Sequence, residues 1–120
     1  MNKKLRKLLM QYIGRLLKLL KKNDTRIILL TNGYQVIVNA VDYEMLNKFK
    51  WYAKKAGDGK VYAARSVRNG KKVQTIYMHR FILTCPSHME VDHKDKNRLN
   101  DCRSNLEMVT KRENLRRRWR

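Results

Sequence analysis

Residues 89–114 read MEVDHKDKNRLNDCRSNLEMVTKREN. Met89–His93 and Asn105–Val109 are short runs of strand character, and residues 94–104 between them are polar and without period. Thr110-Lys111-Arg112-Glu113 has the form of a capping box, in which the Thr hydroxyl and the Glu carboxylate satisfy free amides at a helix start. A helix is expected from there towards Trp119. The order is strand, loop, strand, helix. It gathers Asp92, His93, Asn105 and Asn114 into one short unit.

Those residue types suit the hydrolysis of a phosphodiester. The reaction needs an activated water and a charge that stabilises the phosphorane and the departing oxygen. A hard divalent cation supplies the second and prefers oxygen ligands. Asp92 offers a carboxylate oxygen and Asn114 an amide oxygen. His93 is a candidate base, because an unperturbed His pKa of ~6.5 suits proton transfer near neutral pH. Asn105 has donors and an acceptor with which to pin the loop and so hold His93. Neighbours on a regular strand point to opposite faces, so Asp92 and His93 serve one site only if the strand ends or bulges there.

Upstream, residues 1–22 form an amphipathic helical pattern, with Leu5, Leu8, Leu9, Tyr12, Ile13, Leu16, Leu17 and Leu20 at helical spacing among lysines and arginines. Asn23-Asp24 marks a break. Ile27–Leu30 and Tyr34–Val38 read as strands joined at Asn32-Gly33, a hairpin signal. Asp42–Lys55 reads as a helix with Asp42 as its cap. Val61–Val67 and Val73–Met78 alternate around Asn69-Gly70, a second hairpin signal, and Phe81–Cys85 is a short apolar stretch closed by Pro86. The expected fold class is α+β. A basic helix (1–25) precedes a small antiparallel sheet with one helix (26–78), and the strand-loop-strand-helix unit (79–120) follows.

Lys and Arg number 29 against 10 Asp and Glu, a formal net charge of +19. Such an excess repels itself unless a polyanion is near, so nucleic acid is the first expected partner and an anionic membrane surface under residues 1–22 the second. No obligate protein partner is evident. No apolar run approaches ~20 residues, and residues 1–22 lack a clean apolar centre followed by a cleavage site. The two cysteines, Cys85 and Cys102, lack the spacing of a thiolate zinc site. A cytoplasmic location is expected.

The stretches LTNGYQVIV, VDYEMLNKFKWYAKK, YAARSV, IYMHRFIL, MEVDHKD, RSNLEMVT and KREN, from about Ile27 to Asn114, together resemble the HNH endonucleases of bacteriophages, including homing endonucleases. The resemblance implies a ββα-metal fold and a metal-dependent DNA endonuclease that nicks one strand, using one Mg²⁺ or Mn²⁺. It implies Asp92 and Asn114 as metal ligands, His93 as general base and Asn105 as the loop brace. His79 and Arg80 match a His-Arg pair of this branch, in phosphate contact or in support of the site. The upstream sheet resembles AP2-like DNA-binding modules. Arg103, Arg112, Arg116 and Arg117 are expected on the DNA backbone. The chain departs from the pattern in lacking a glycine in the 94–103 loop. The alternative reading is a basic DNA-binding protein without activity.

Overall fold

The computed structural model describes residues 2–21 and 24–118. The helix end expected at Lys22, the break at Asn23 and the run as far as Trp119 lie outside the described residues. Helix α1 spans Lys3–Lys21, its first turn capped by Asn2, whose Oδ1 accepts from the Leu5 amide at 2.8 Å. Strands β1 (Thr25–Leu29) and β2 (Gln35–Asn39) pair antiparallel. Asn32 and Gly33 join them with φ of 62° and 79°. Positive φ at both central residues makes the tight turn that Asn-Gly favours, because its twist matches that of the strands.

Helix α2 is shorter than the sequence pattern suggests: it covers Ala40–Leu46, and Tyr52–Lys55 is strand β3. The reason is tertiary. The buried Trp51 indole donates to the Leu46 carbonyl at 2.8 Å and closes the helix there. The chain then turns back, so that β3 pairs with β4 (Val61–Asn69), and β4 with β5 (Lys72–Tyr77). Asp42 is also not the cap. Asn39 holds that position, and Asp42 is buried in the first turn. In the β4–β5 hairpin Asn69 pairs with Lys72, so the loop residues are Gly70 and Lys71, one step beyond the expected Asn69-Gly70. Gly70 has a φ of 63°.

The stretch expected to be merely apolar is a helix, α3 (Met78–Leu83), ended by Thr84 in the left-handed region. Strand β6 (Met89–His93) pairs antiparallel with β7 (Leu106–Thr110), and helix α4 (Lys111–Arg117) follows. Thr110 caps α4 by accepting from the Glu113 amide at 3.1 Å. The reciprocal half of the expected capping box is replaced, since the Glu113 carboxylate meets Arg117 instead. The fold is thus mixed α and β, with small antiparallel sheets and four α-helices among the described residues.

One core runs through these elements: Ile28, Val36 and Val38 from the first hairpin, Leu46, Trp51, Ala63, Met78, Ile82, Val91 and Leu106. The polar loop after β6 is stitched to β2. Ile37 donates to Leu99 O at 2.9 Å, and Asp101 donates to Ile37 O at 2.8 Å. The loop that separates the two strands of the 89–110 hairpin is therefore held against β2 on either side of Asn100.

Candidate active site

The β6–β7 ladder is regular from Met89↔Thr110 to His93↔Leu106. Side chains on such a ladder alternate. Glu90 and Asp92, with Glu107 opposite Asp92, face α4, while Val91 and His93 face α3 and the core. His93 ends the strand, but no bulge turns it towards Asp92. Of the four residues singled out by sequence, His93 and Asn105 lie at the end of β6, Asp92 lies on the strand's other face, and Asn114 meets Glu90 near the strand's start.

On the α4 face lie Glu90, Asp92, Glu107 and Glu113, four of the chain's ten acidic residues. Asn114 donates its amide to the Glu90 carboxylate. Arg117 donates to Asp92 and Glu107 at 2.9 Å each and to Glu113 at 3.2 Å. The guanidinium holds the Glu107 carboxyl below its usual range, and these carboxylates raise the Arg117 pKa. Asp92 and Glu90 offer carboxylate oxygens of the kind a hard divalent cation prefers, while Asn114 turns its Nδ2 rather than its oxygen to Glu90. Arg117 provides the positive charge beside Asp92 here.

On the other face His93 is buried. Its Nε2 meets Asp101 Oδ1 at 2.7 Å, and Asp101 has no exposed surface. Burial raises the Asp101 pKa, while the His93 hydrogen bond opposes that rise. Nδ1 of His93 makes no hydrogen bond among the described residues. His79, from α3, stands beside it with ring centroids 4.9 Å apart. Tyr62 stacks on His79 at 5.2 Å, and Tyr77 lies 5.8 Å from it. Burial, with the His93 and Arg80 charges secondary, lowers the His79 pKa to about 3, so it is a neutral imidazole at physiological pH.

Asn105 spans the loop. Its Oδ1 accepts from the Asp95 amide at 3.0 Å, and its Nδ2 donates to Asp95 Oδ1 and Asn100 O at 2.8 Å each. It belongs to a 3-10 turn, Arg103–Asn105, rather than to the strand. Arg98 closes the loop's outer side by a two-pronged bond to Asp58 at 2.9 and 2.7 Å, with its guanidinium 4.7 Å from the Tyr62 ring.

The arginines expected on DNA divide. Arg80 donates to the Met89 and Pro86 carbonyls, and Arg103 makes a two-pronged bond to buried Asp42 at 2.9 Å on each arm. Arg112 and Arg116 are exposed, and neither forms an ion pair among the described residues. Sequence reading missed Asp101, Glu90 and Arg98. Asp101 carried one signal, an acid retained in a basic loop between the Asp-His and Asn-Leu pairs.

Residues 84–116 match the family model described as HNH endonuclease. The matched segment contains Asp92, His93, Asn105 and Asn114. The chain is also 32% identical over 88 residues to an uncharacterised HNH endonuclease of Acanthamoeba polyphaga mimivirus. That alignment takes in 68% of this chain and 42% of the relative, so the chain spans under half of the relative's length. No solved structure matches.

Proposed function

We propose that the chain is a DNA-cleaving hydrolase, an HNH endonuclease dependent on a divalent metal, with β6, its loop, β7 and α4 as the ββα-metal unit. The observation that carries this is the HNH endonuclease match over residues 84–116, which encloses the acidic α4 face and the buried His93–Asp101 pair. Asp92 and Asn114, with Glu90 beside them, are the oxygen donors that would hold Mg²⁺ or Mn²⁺. When bound, the ion supplies charge to the phosphorane and the departing oxygen.

The chain's own residues do the rest. Asp101 accepts from His93 Nε2, which leaves the Nδ1 lone pair to take a proton from water. A second group that orients a catalytic imidazole and sets its tautomer is a recurrent arrangement. Asn105 fixes the loop from which Asp101 projects. The reading requires the scissile phosphate to lie across the end of β6, the one place within reach of both faces. Arg117 must then leave Asp92, and its guanidinium suits a phosphate oxygen as well as a carboxylate. His79 and Arg80 support the site from α3, as a neutral ring against His93 and a clamp on the 86–89 turn.

The substrate is double-stranded DNA, cut on one strand per site, in a homing-endonuclease-like manner with the upstream sheet as an AP2-like binding module. The charge of +19 and the exposed Arg112 and Arg116 support a polyanionic substrate. No helix among the described residues is long and apolar enough to cross a membrane. A plasmid nicking assay tests the reading. Open-circle DNA should form with Mg²⁺ or Mn²⁺, cease on chelation and return when the ion is restored. A protein that binds plasmid but never nicks it, with either ion, would be the silent DNA-binding alternative.

A further inference from the structure

His79, His93 and Asp101 come from three segments: α3, the end of β6, and the loop before β7. One ligand-type atom from each lies within 4.8 Å of the other two. All three residues are buried. His93 Nε2 and Asp101 Oδ1 satisfy each other, but Nδ1 of His79 and Oδ2 of Asp101 are sealed from solvent without a hydrogen-bond partner. Buried polar atoms are nearly always satisfied, and an idle carboxylate oxygen and an idle imidazole nitrogen within one buried cluster call for an explanation. No lysine or arginine bonds to either atom among the described residues. The walls on this side are the Tyr62 and Tyr77 rings.

We propose that His79, His93 and Asp101 bind one transition-metal ion of the Zn²⁺, Co²⁺ or Ni²⁺ class. Two imidazole nitrogens and one carboxylate oxygen are a known three-ligand set for such ions, with a fourth position left to water. Mg²⁺ has little affinity for nitrogen and keeps its waters, so it favours the carboxylates of the α4 face instead. The two faces of β6 thus differ in the cations they select. With bonds of about 2.0–2.2 Å, closing the group onto one ion takes side-chain shifts on the order of an ångström. Burial keeps His79 in its neutral, ligand form.

A consequence follows that rests on the nuclease reading. An ion on His93 occupies the imidazole that would accept the water proton, so a transition metal here suppresses Mg²⁺-supported nicking. It acts as an inhibitor by occupying the base, and needs no change of fold.

Titration of the tag-free full chain with Co²⁺, after removal of adventitious metal, tests the site without turnover. One equivalent should bring up visible d–d absorption, and Zn²⁺ should abolish it. His79→Ala and Asp101→Asn should each weaken Co²⁺ binding at least tenfold. Asp101→Asn keeps the shape of the side chain in case His79→Ala does not fold. His88→Ala, at an exposed histidine, should bind as the parent does. Absence of saturable absorption overturns the site, as does absorption that survives both variants. Near-ultraviolet thiolate bands, assigning the ion to Cys85 or Cys102, also overturn it. In the nicking assay with Mg²⁺, one equivalent of Zn²⁺ should stop cleavage and a zinc-selective chelator should restore it. Undiminished nicking with the site visibly loaded overturns the inhibitory role. A chain that never nicks defeats the nuclease reading, and the Co²⁺ titration still decides the metal site.

Discussion

His93 and His79 stand 4.9 Å apart, yet different chemistry is asked of them. His93 is fixed by a buried carboxylate, whereas His79 is wrapped in rings that reject charge. His93→Ala should therefore lower plasmid nicking by about 10²–10⁴, the usual cost of losing a general base, with DNA binding in a gel shift retained. Turnover near that of the parent would remove His93 from the mechanism. For His79 the expectation concerns stability. Its pKa is about 3 when folded and near 6.5 as a free side chain. Between those values the unfolded chain takes a proton that the folded chain refuses. The contribution is full above about pH 6.5, and stability falls as pH drops through the window, by up to about 1.4 kcal/mol per unit. The urea midpoint of the metal-free protein should fall from pH 7 to pH 5, and fall less in His79→Gln. Equal slopes would mean that His79 accepts its proton while folded. The sequence pointed to His93 and Asn105 through their spacing and residue type. It was silent on Glu90 and gave Asp101 only its acid character within a basic loop, because a carboxylate in a loop or on a strand has no local pattern that assigns it a partner. Only the fold of the loop against β2 puts Asp101 under His93.

Elements show the same division between local and long-range causes. The Asn32-Gly33 hairpin and the Thr110 cap were legible because each is settled within four residues, by positive φ in one and a side-chain acceptor in the other. The end of α2 was not. A helical pattern through Lys55 is broken by the Trp51 indole on the Leu46 carbonyl and by pairing of β3 with β4, which periodicity cannot register. Arg103 was assigned to DNA from its charge, and its partner Asp42 is far away in sequence. This pair ties the turn before β7 to α2, with Asp42 buried and Arg103 half exposed. Breaking a buried pair costs about 3–5 kcal/mol, less where one partner is hydrated. Arg103→Ala should thus lower unfolding free energy by about 1–3 kcal/mol. Combining it with Asp42→Asn should cost less than the sum of the two single changes, the mark of a direct interaction. Arg112→Ala, at an exposed site on α4, should leave stability unchanged and weaken DNA binding. Strict additivity of Arg103→Ala and Asp42→Asn in urea would dissolve the tie and return Arg103 to the DNA surface.

At the scale of the molecule the charge is unevenly distributed. The acids are few, and four of them converge on the α4 face. Most of the basic excess is left to solvent, including α1, where no acid occurs. The apolar side of α1 is exposed as well: Leu5, Leu8, Leu9, Tyr12, Ile13 and Leu17 each keep between 46% and 60% of their surface. The sequence gives α1 two readings, a DNA clamp and a membrane-surface helix, and salt dependence separates them. Each phosphate neutralised by a lysine or arginine releases condensed counterion, so log K against log[salt] falls by about 0.9 per contact. Six to ten contacts give a slope of roughly −5 to −9. If α1 lies on DNA, removing residues 1–22 takes several of those contacts away and flattens the slope by about 0.9 for each. If α1 lies on anionic lipid, the slope stays where it was, and vesicles containing an acidic phospholipid retain the full chain but not the truncated one. The measurement is a binding isotherm on a short duplex at four or five salt concentrations, for both chains. An unchanged slope together with no retention on vesicles would exclude both surfaces and leave α1 to protein contacts.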